Sequence, residues 1–121
     1  MHALKFTDPC FLGFGEVYFS WVKARKVKAW KCHNHMTLNL VVPLGEVKFV
    51  FHMPGQKEEF LIIKIGEKNY ARLTVPPRIW FGFQGIASGQ SLLMNLADKV
   101  HDPDEVSRKS ESELHYNWSL K

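Results

Sequence analysis

An all-β domain closed into a sandwich or barrel is what the sequence predicts, and two observations predict it. Helical periodicity is missing: no long window keeps apolar residues at i, i+3, i+4 and i+7 between capping signals. Short β-rich runs recur instead at roughly ten-residue spacing, divided by turn residues, as in sandwiches and barrels of about seven or eight strands.

The elements follow in order. Gly15–Val22 alternates, with Val17, Phe19 and Trp21 on one face and Glu16, Tyr18 and Ser20 on the other. Val27–Val42 reads as one long or bent strand, closed by Pro43 and Gly45. Glu46–Met53 alternates again and gathers Val47, Phe49, Phe51 and Met53, after which Pro54-Gly55 turns the chain. Phe60–Ile65, a Gly66–Asn69 turn and Tyr70–Val75 predict a hairpin. Pro76-Pro77 interrupts it, because proline cannot donate to a ladder. Ser91–Ala97 is the last expected strand, and 98–121 is expected to be an irregular tail packed on the barrel, anchored by Tyr116 and Trp118.

The chain has 121 residues, 45% of them hydrophobic, with nine Phe, four Trp and three Tyr. That suffices for one domain over 1–121 with a real core, and it excludes wholesale disorder. No apolar run approaches the length of a membrane span. The N-terminus lacks the basic region and long apolar run of a signal peptide, and Cys10 and Cys32 form no CxxC, so a cytoplasmic protein with two reduced thiols is expected. Residues 1–97 carry 12 Lys/Arg against 6 Asp/Glu, and the tail is acidic. A basic body suggests an anionic partner. The cluster Lys23, Arg25, Lys26, Lys28 and Lys31 reads as a solvated face before it reads as a nucleic-acid site, and no nucleic-acid partner is expected.

Trp30–Val42 carries the chemistry. Alternation places Lys31, His33, His35, Thr37 and Asn39 on one face and Cys32, Met36, Leu38, Leu40 and Val42 on the other. A polar face with two imidazoles, an amide, a hydroxyl and one full charge suits the lining of a cavity, while a solvated edge favours Glu, Lys and Arg. His33 and His35 admit three readings: ligation of a metal, general-base catalysis near neutral pH, or structural hydrogen bonding.

These residues resemble a known family. The segment Lys28–His33 is similar to the "VLRGLH" strand of the dTDP-4-dehydrorhamnose 3,5-epimerases, and Leu44–Val47 to the "KGEV" turn that follows it. Thr74–Phe83 (TVPPRIWFGF) resembles "WIPEGFAHGF", Leu92–Glu105 (LLMNLADKVHDPDE) resembles "FLYKTTDYYSPEDE", and Tyr116-Asn117-Trp118 falls at "I-x-W". Order and spacing hold over residues 15–118. His33-Asn34-His35 also resembles the "GFHAHK" run of the sugar-nucleotide 3,4-ketoisomerases.

The resemblance implies a cupin jelly-roll barrel, usually a homodimer, serving carbohydrate biosynthesis such as that of lipopolysaccharide. Its implied substrate is a nucleotide-linked sugar, a dTDP-4-keto-6-deoxyhexose. Epimerisation by proton abstraction beside the ketone is the implied reaction, ketone transfer between C4 and C3 the alternative, and a non-catalytic sugar- or nucleotide-binding cupin the third possibility. His33 aligns with the family's base. His101 is the candidate acid in place of the tyrosine, since Asp98–His101 contains none. Lys31, His35, Asn39, Arg72, Arg78 and Phe83 are candidate substrate contacts. Metal-binding cupins carry a Glu near Asn39 and a third His at Phe81, so no metal and no cofactor are implied. Trp30 replaces the family's arginine, and the aspartate that orients the base lies beyond the matched segment in the epimerases, so no orienting carboxylate is expected.

Overall fold

The computed structural model describes residues 1–55 and 57–119, so the last two residues of the expected tail lie outside the described residues. Nine strands are described: β1 (Glu16–Val22), β2 (Val27–His33), β3 (Leu38–Leu44), β4 (Glu46–Met53), β5 (Glu59–Gly66), β6 (Leu73–Val75), β7 (Phe81–Gly85), β8 (Ser91–Ala97) and β9 (Val106–Arg108). They form two antiparallel sheets, ordered β1-β8-β3-β6 and β5-β4-β7-β2-β9. The all-β class follows from the alternating runs. Val47, Phe49 and Phe51 of β4 meet Phe81 and Phe83 of β7 and Leu38, Leu40 and Val42 of β3 in one buried cluster between the sheets.

Three details depart from the sequence expectation. Val27–Val42 is two strands, because β2 and β3 belong to different sheets and residues 34–37 carry the chain across. Alternation cannot persist through that crossing, so the expected single face ends at His33. The expected Phe60–Val75 hairpin does not form: β5 pairs with β4, and β6 pairs with β3 in the opposite sheet. The tail is less irregular than expected, since β9 adds an edge to β2 between two short 3-10 turns, Pro103–Glu105 and Glu111–Glu113.

One corner is tightly specified. Gly45 joins β3 to β4 across the two sheets with φ of +80°, and a Cβ there would meet the Ser91 hydroxyl at 2.2 Å. That hydroxyl in turn accepts from the Glu46 amide at 3.0 Å.

The two outer sheet faces are treated differently. The tail covers the β2–β4 face: Trp30, Val50, Leu114 and Trp118 form a second buried cluster, and Lys48 lies 5.2 Å from the Tyr116 ring and 5.7 Å from the Trp118 ring. The Trp30 and Lys109 backbones exchange hydrogen bonds at 3.0 and 3.1 Å, and the Trp30 indole donates to the Glu111 carbonyl at 3.0 Å. On the other sheet, β1 turns Tyr18, Ser20 and Val22 toward the interior. Its apolar set faces outward, with Val17, Phe19 and Trp21 exposed by 40%, 59% and 55%.

Because Trp118 closes the outer cluster over Trp30 at 5.2 Å between ring centroids, Trp118→Ala is expected to cost about 3–5 kcal/mol of stability. Urea unfolding followed by circular dichroism measures it; a change below about 1 kcal/mol would show that the tail is not part of the cooperative fold.

Candidate active site

The first component is a histidine with its carboxylate. His33 ends β2, is 7% exposed, and shares with Lys31 the side of the strand that faces between the sheets. Its Nδ1 lies in hydrogen-bond contact with Glu105 Oε1, and its Nε2 is buried with no hydrogen-bond partner among the described residues. Glu105, 6% exposed, is delivered by the 3-10 turn that runs into β9. Its second oxygen accepts from the amides of His35 at 3.1 Å and Met36 at 3.2 Å, and its carbonyl accepts from the Asn34 amide at 2.8 Å. The chain crossing between the sheets thus wraps around one carboxylate.

This arrangement fixes the charge state of both partners. Burial pushes the His33 imidazole below its ordinary value of 6.5 and outweighs the upward pull of Glu105. Burial alone would raise the Glu105 carboxyl, but the His33 bond and the two amides outweigh it and hold the group below its ordinary 4.5. The resulting pair is an anionic carboxylate accepting from the Nδ1–H of a neutral imidazole, which leaves the Nε2 lone pair free to take a proton. Glu105 is the orienting carboxylate that the sequence reading did not expect. Its only signal was an acidic residue in a charged tail, and tail charges are usually solvated.

The second component is a cavity of about 380 Å³ lined by β1, β2, β7 and β9, within the usual range of ligand sites. Lys28 and Lys31 of β2, Arg108 of β9 and Lys109 give it four cationic side chains; Tyr18, Ser20, Trp30, Phe81 and Phe83 supply much of the rest. A recess of about 20 Å³ continues inward past Tyr18, Lys31 and Phe83 to Asn95, with room for about one water. Tyr18 reaches this space from the opposite sheet. Its hydroxyl accepts from the Asn95 amide at 2.9 Å, and burial raises its pKa above the ordinary 10.0. Sequence reading grouped Tyr18 with the polar side of β1, and nothing in that pattern showed that this side faces inward.

The other anticipated residues divide in two. Lys31 and Phe83 line the cavity. His35 is exposed beyond the end of β2, where only its amide reaches Glu105. Asn39 is buried on the side of β3 away from the core cluster, accepting from the Thr74 hydroxyl at 2.6 Å and donating to the Cys10 carbonyl at 3.4 Å. Arg72 pairs with Asp8 at 2.9 Å and donates to the Ala3 carbonyl at 3.1 Å, which ties down the N-terminal segment. Arg78 is exposed, and its amide donates to the His33 carbonyl at 2.6 Å. His101 is exposed, with its amide against the Glu16 carboxylate, and does not line the cavity. No group of three or more His, Cys, Asp or Glu able to hold a metal ion is found among the described residues.

The fold and the sequence have known counterparts. A dTDP sugar isomerase from Desulfovibrio desulfuricans G20 is 33% identical, with a TM-score of 0.90 over 98% of this chain and 80% of that one. QdtA, a sugar 3,4-ketoisomerase from Thermoanaerobacterium thermosaccharolyticum solved with TDP, is 23% identical over 79% of this chain and 67% of its own, with a TM-score of 0.67. NovW, a 4-keto-6-deoxy sugar epimerase from the novobiocin gene cluster of Streptomyces spheroides, is 14% identical over 90% of this chain and 59% of its own, with a TM-score of 0.77. No protein-family model matches the sequence, and no curated protein matches it.

The wild-type stability advantage over Glu105→Gln is expected to be complete above pH 4.5 and to shrink as the pH falls through the depressed Glu105 pKa, because the carboxylate is favoured only while ionised. Below pH 6.5 the buried imidazole lowers the stability of both proteins, since the unfolded chain takes up a proton that the folded chain resists, and it does so no less in Glu105→Gln, where the upward pull of the carboxylate on His33 is gone. Urea midpoints from pH 3 to pH 8 check both. A wild-type advantage that stayed constant down to pH 3 would refute the ionised dyad.

Proposed function

The chain belongs to the family of the dTDP sugar isomerases, and from that premise we propose that it isomerises a dTDP-4-keto-6-deoxyhexose by removing the proton beside the ketone. One observation carries the reading: a buried, neutral histidine with an oriented ring and an unpartnered Nε2, on the strand that also lines a cation-rich cavity.

The chemistry follows from those parts. Nε2 of His33 accepts the α-proton, the pair of that C–H bond becomes the C=C bond, and the C=O π pair moves onto the ketone oxygen to give an enolate. Glu105 stabilises the imidazolium that forms, as a buried carboxylate does in triad enzymes. The Tyr18 hydroxyl, held by Asn95 on the facing sheet, is the donor suited to return a proton to the sugar. Lys28, Arg108 and Lys109 near the cavity's outer edge suit the diphosphate, as charge-assisted donors do, and Phe83 offers an aromatic face to the sugar or base.

Ketone transfer between C4 and C3 is the second reading. The segment Asp98–His101 favours it: the tyrosine that serves the second sugar face in epimerases is absent there, and His101 is exposed. The binding-only reading loses part of its ground, since Glu105 supplies the orientation whose absence suggested it.

We further propose that the protein acts as a single cupin domain in the cytoplasm, within carbohydrate biosynthesis such as that of lipopolysaccharide, and as a homodimer. The outward Val17, Phe19 and Trp21 support the dimer, as an apolar set that a second copy would cover. Among the described residues no helix is long and apolar enough to cross a membrane.

Incubation with dTDP-4-keto-6-deoxyglucose in deuterated water is expected to place deuterium beside the ketone, with NMR separating an epimer from a 3-keto product. His33→Asn should slow the exchange by about 10²–10⁴-fold; unchanged exchange would refute His33 as the base. Phe19→Lys is expected to shift the sedimenting species from dimer to monomer, and a wild-type protein already monomeric at high concentration would refute the dimer.

A further inference from the structure

We infer that Lys31 is a further catalytic residue, whose ammonium seats the ketone oxygen and holds the negative charge that gathers there as His33 removes the neighbouring proton. The inference rests on the isomerase reading and deepens it, by assigning the electrophile that this reading leaves open.

Three features separate Lys31 from the other cations of the cavity. It stands two residues before His33 on the same side of β2, a separation of about 6.6 Å between Cα atoms, so the two side chains leave the sheet in parallel. In a ketone, the proton-bearing carbon and the oxygen are about 2.4 Å apart. A base and a donor at hydrogen-bond reach of those atoms therefore stand no more than about 8 Å from each other. Depth is the second feature. Lys31 is the one charged side chain that lines the inner recess among the described residues, whereas Lys28, Arg108 and Lys109 line the outer cavity alone. A substrate that enters with its sugar innermost places the diphosphate on those three and the ketone on Lys31.

Surroundings are the third. Nζ sits 5.5 Å from the Phe81 ring centroid, and Phe83 lines the same recess. A cation against such walls stabilises developing charge more than one in water would. The groups facing Lys31 are Lys28 and His33 on its own strand, Arg108 on β9, Lys109 after it, Glu105 before it, Tyr18 on β1 and Asn95 on β8. Burial first, then Arg108 and Lys28, pull its pKa down to about 8, with Glu105 opposing. Lys31 is therefore a cation at neutral pH and loses its charge just above it. In the step itself it keeps its proton: His33 takes the α-proton, the C–H pair becomes the C=C bond, and the carbonyl pair settles on an oxygen hydrogen-bonded to Nζ.

The test is deuterium wash-in from solvent into dTDP-4-keto-6-deoxyglucose at saturating substrate, with kcat and KM followed across pH for wild type, Lys31→Gln and Lys31→Arg. Lys31→Gln should lower kcat by about 10²–10³-fold with KM changed only a few-fold. In wild type kcat/KM should fall above pH about 8, and Lys31→Arg, charged throughout, should keep part of the rate and lose that alkaline limb. Wild-type kcat in Lys31→Gln, an effect confined to KM, or an alkaline limb that survives in Lys31→Arg would each overturn the assignment. Binding of dTDP by Lys31→Gln, read as a thermal shift, shows that this variant is folded. Absence of wash-in by the wild-type protein overturns the isomerase reading itself, whereas wild-type wash-in that persists in Lys31→Gln overturns only the role of Lys31.

Discussion

A carboxylate taken out of water must find donors, and Glu105 finds them in the stretch of chain that carries β2 of one sheet to β3 of the other. The His33 ring and the His35 and Met36 amides converge on its oxygens, while Asn34 bonds its carbonyl. Removing any one of them would leave a buried charge short of partners, a deficit that typically costs more than the bond itself contributes. That demand holds the crossing in shape, ends β2 at His33, brings β9 alongside β2, and leaves the imidazole with one nitrogen engaged and the other free.

The cavity uses the same elements for a second purpose. β2 supplies Lys28 and Lys31, β9 supplies Arg108, and the aromatic pair on β7 forms the wall beneath them. Four cations gathered at one opening repel one another. The Lys31 pKa, lowered first by burial, expresses part of that repulsion, which a bound anion would relieve. Behind the recess the space between the sheets is hydrocarbon, from Leu40 and Phe49 inward, so water and charge are confined to the rim.

How much of this was legible in the sequence depended on whether the deciding contact was local. Alternating runs announced β1, β4 and β8, because a strand half buried on a core imposes a period of two on its own residues. The break at residues 34–37 was invisible, since polar alternation continues through a segment that in fact changes sheets; His35 and Asn39 were therefore placed beside His33 when only His33 and Lys31 share that side. On β1 alternation gave two faces and nothing in it marked the side of Tyr18 as the inward one. Glu105 was hidden for another reason: its burial is created by a tail more than 70 residues downstream of His33, and no window of sequence contains both. The family resemblance supplied His33 as the candidate base, and the carboxylate that orients its ring came from the fold.

The tail's double attachment has a consequence for how activity is lost. The same C-terminal strap that caps Trp30 with Trp118 also carries Glu105 to the imidazole, so peeling it from the sheet would uncouple the histidine from its orienting carboxylate while most of the sandwich stays folded. Sensitivity to a protease that nicks this segment, or to mild denaturant, would then appear as a silent enzyme with an intact circular-dichroism signature, inactivated well before it melts.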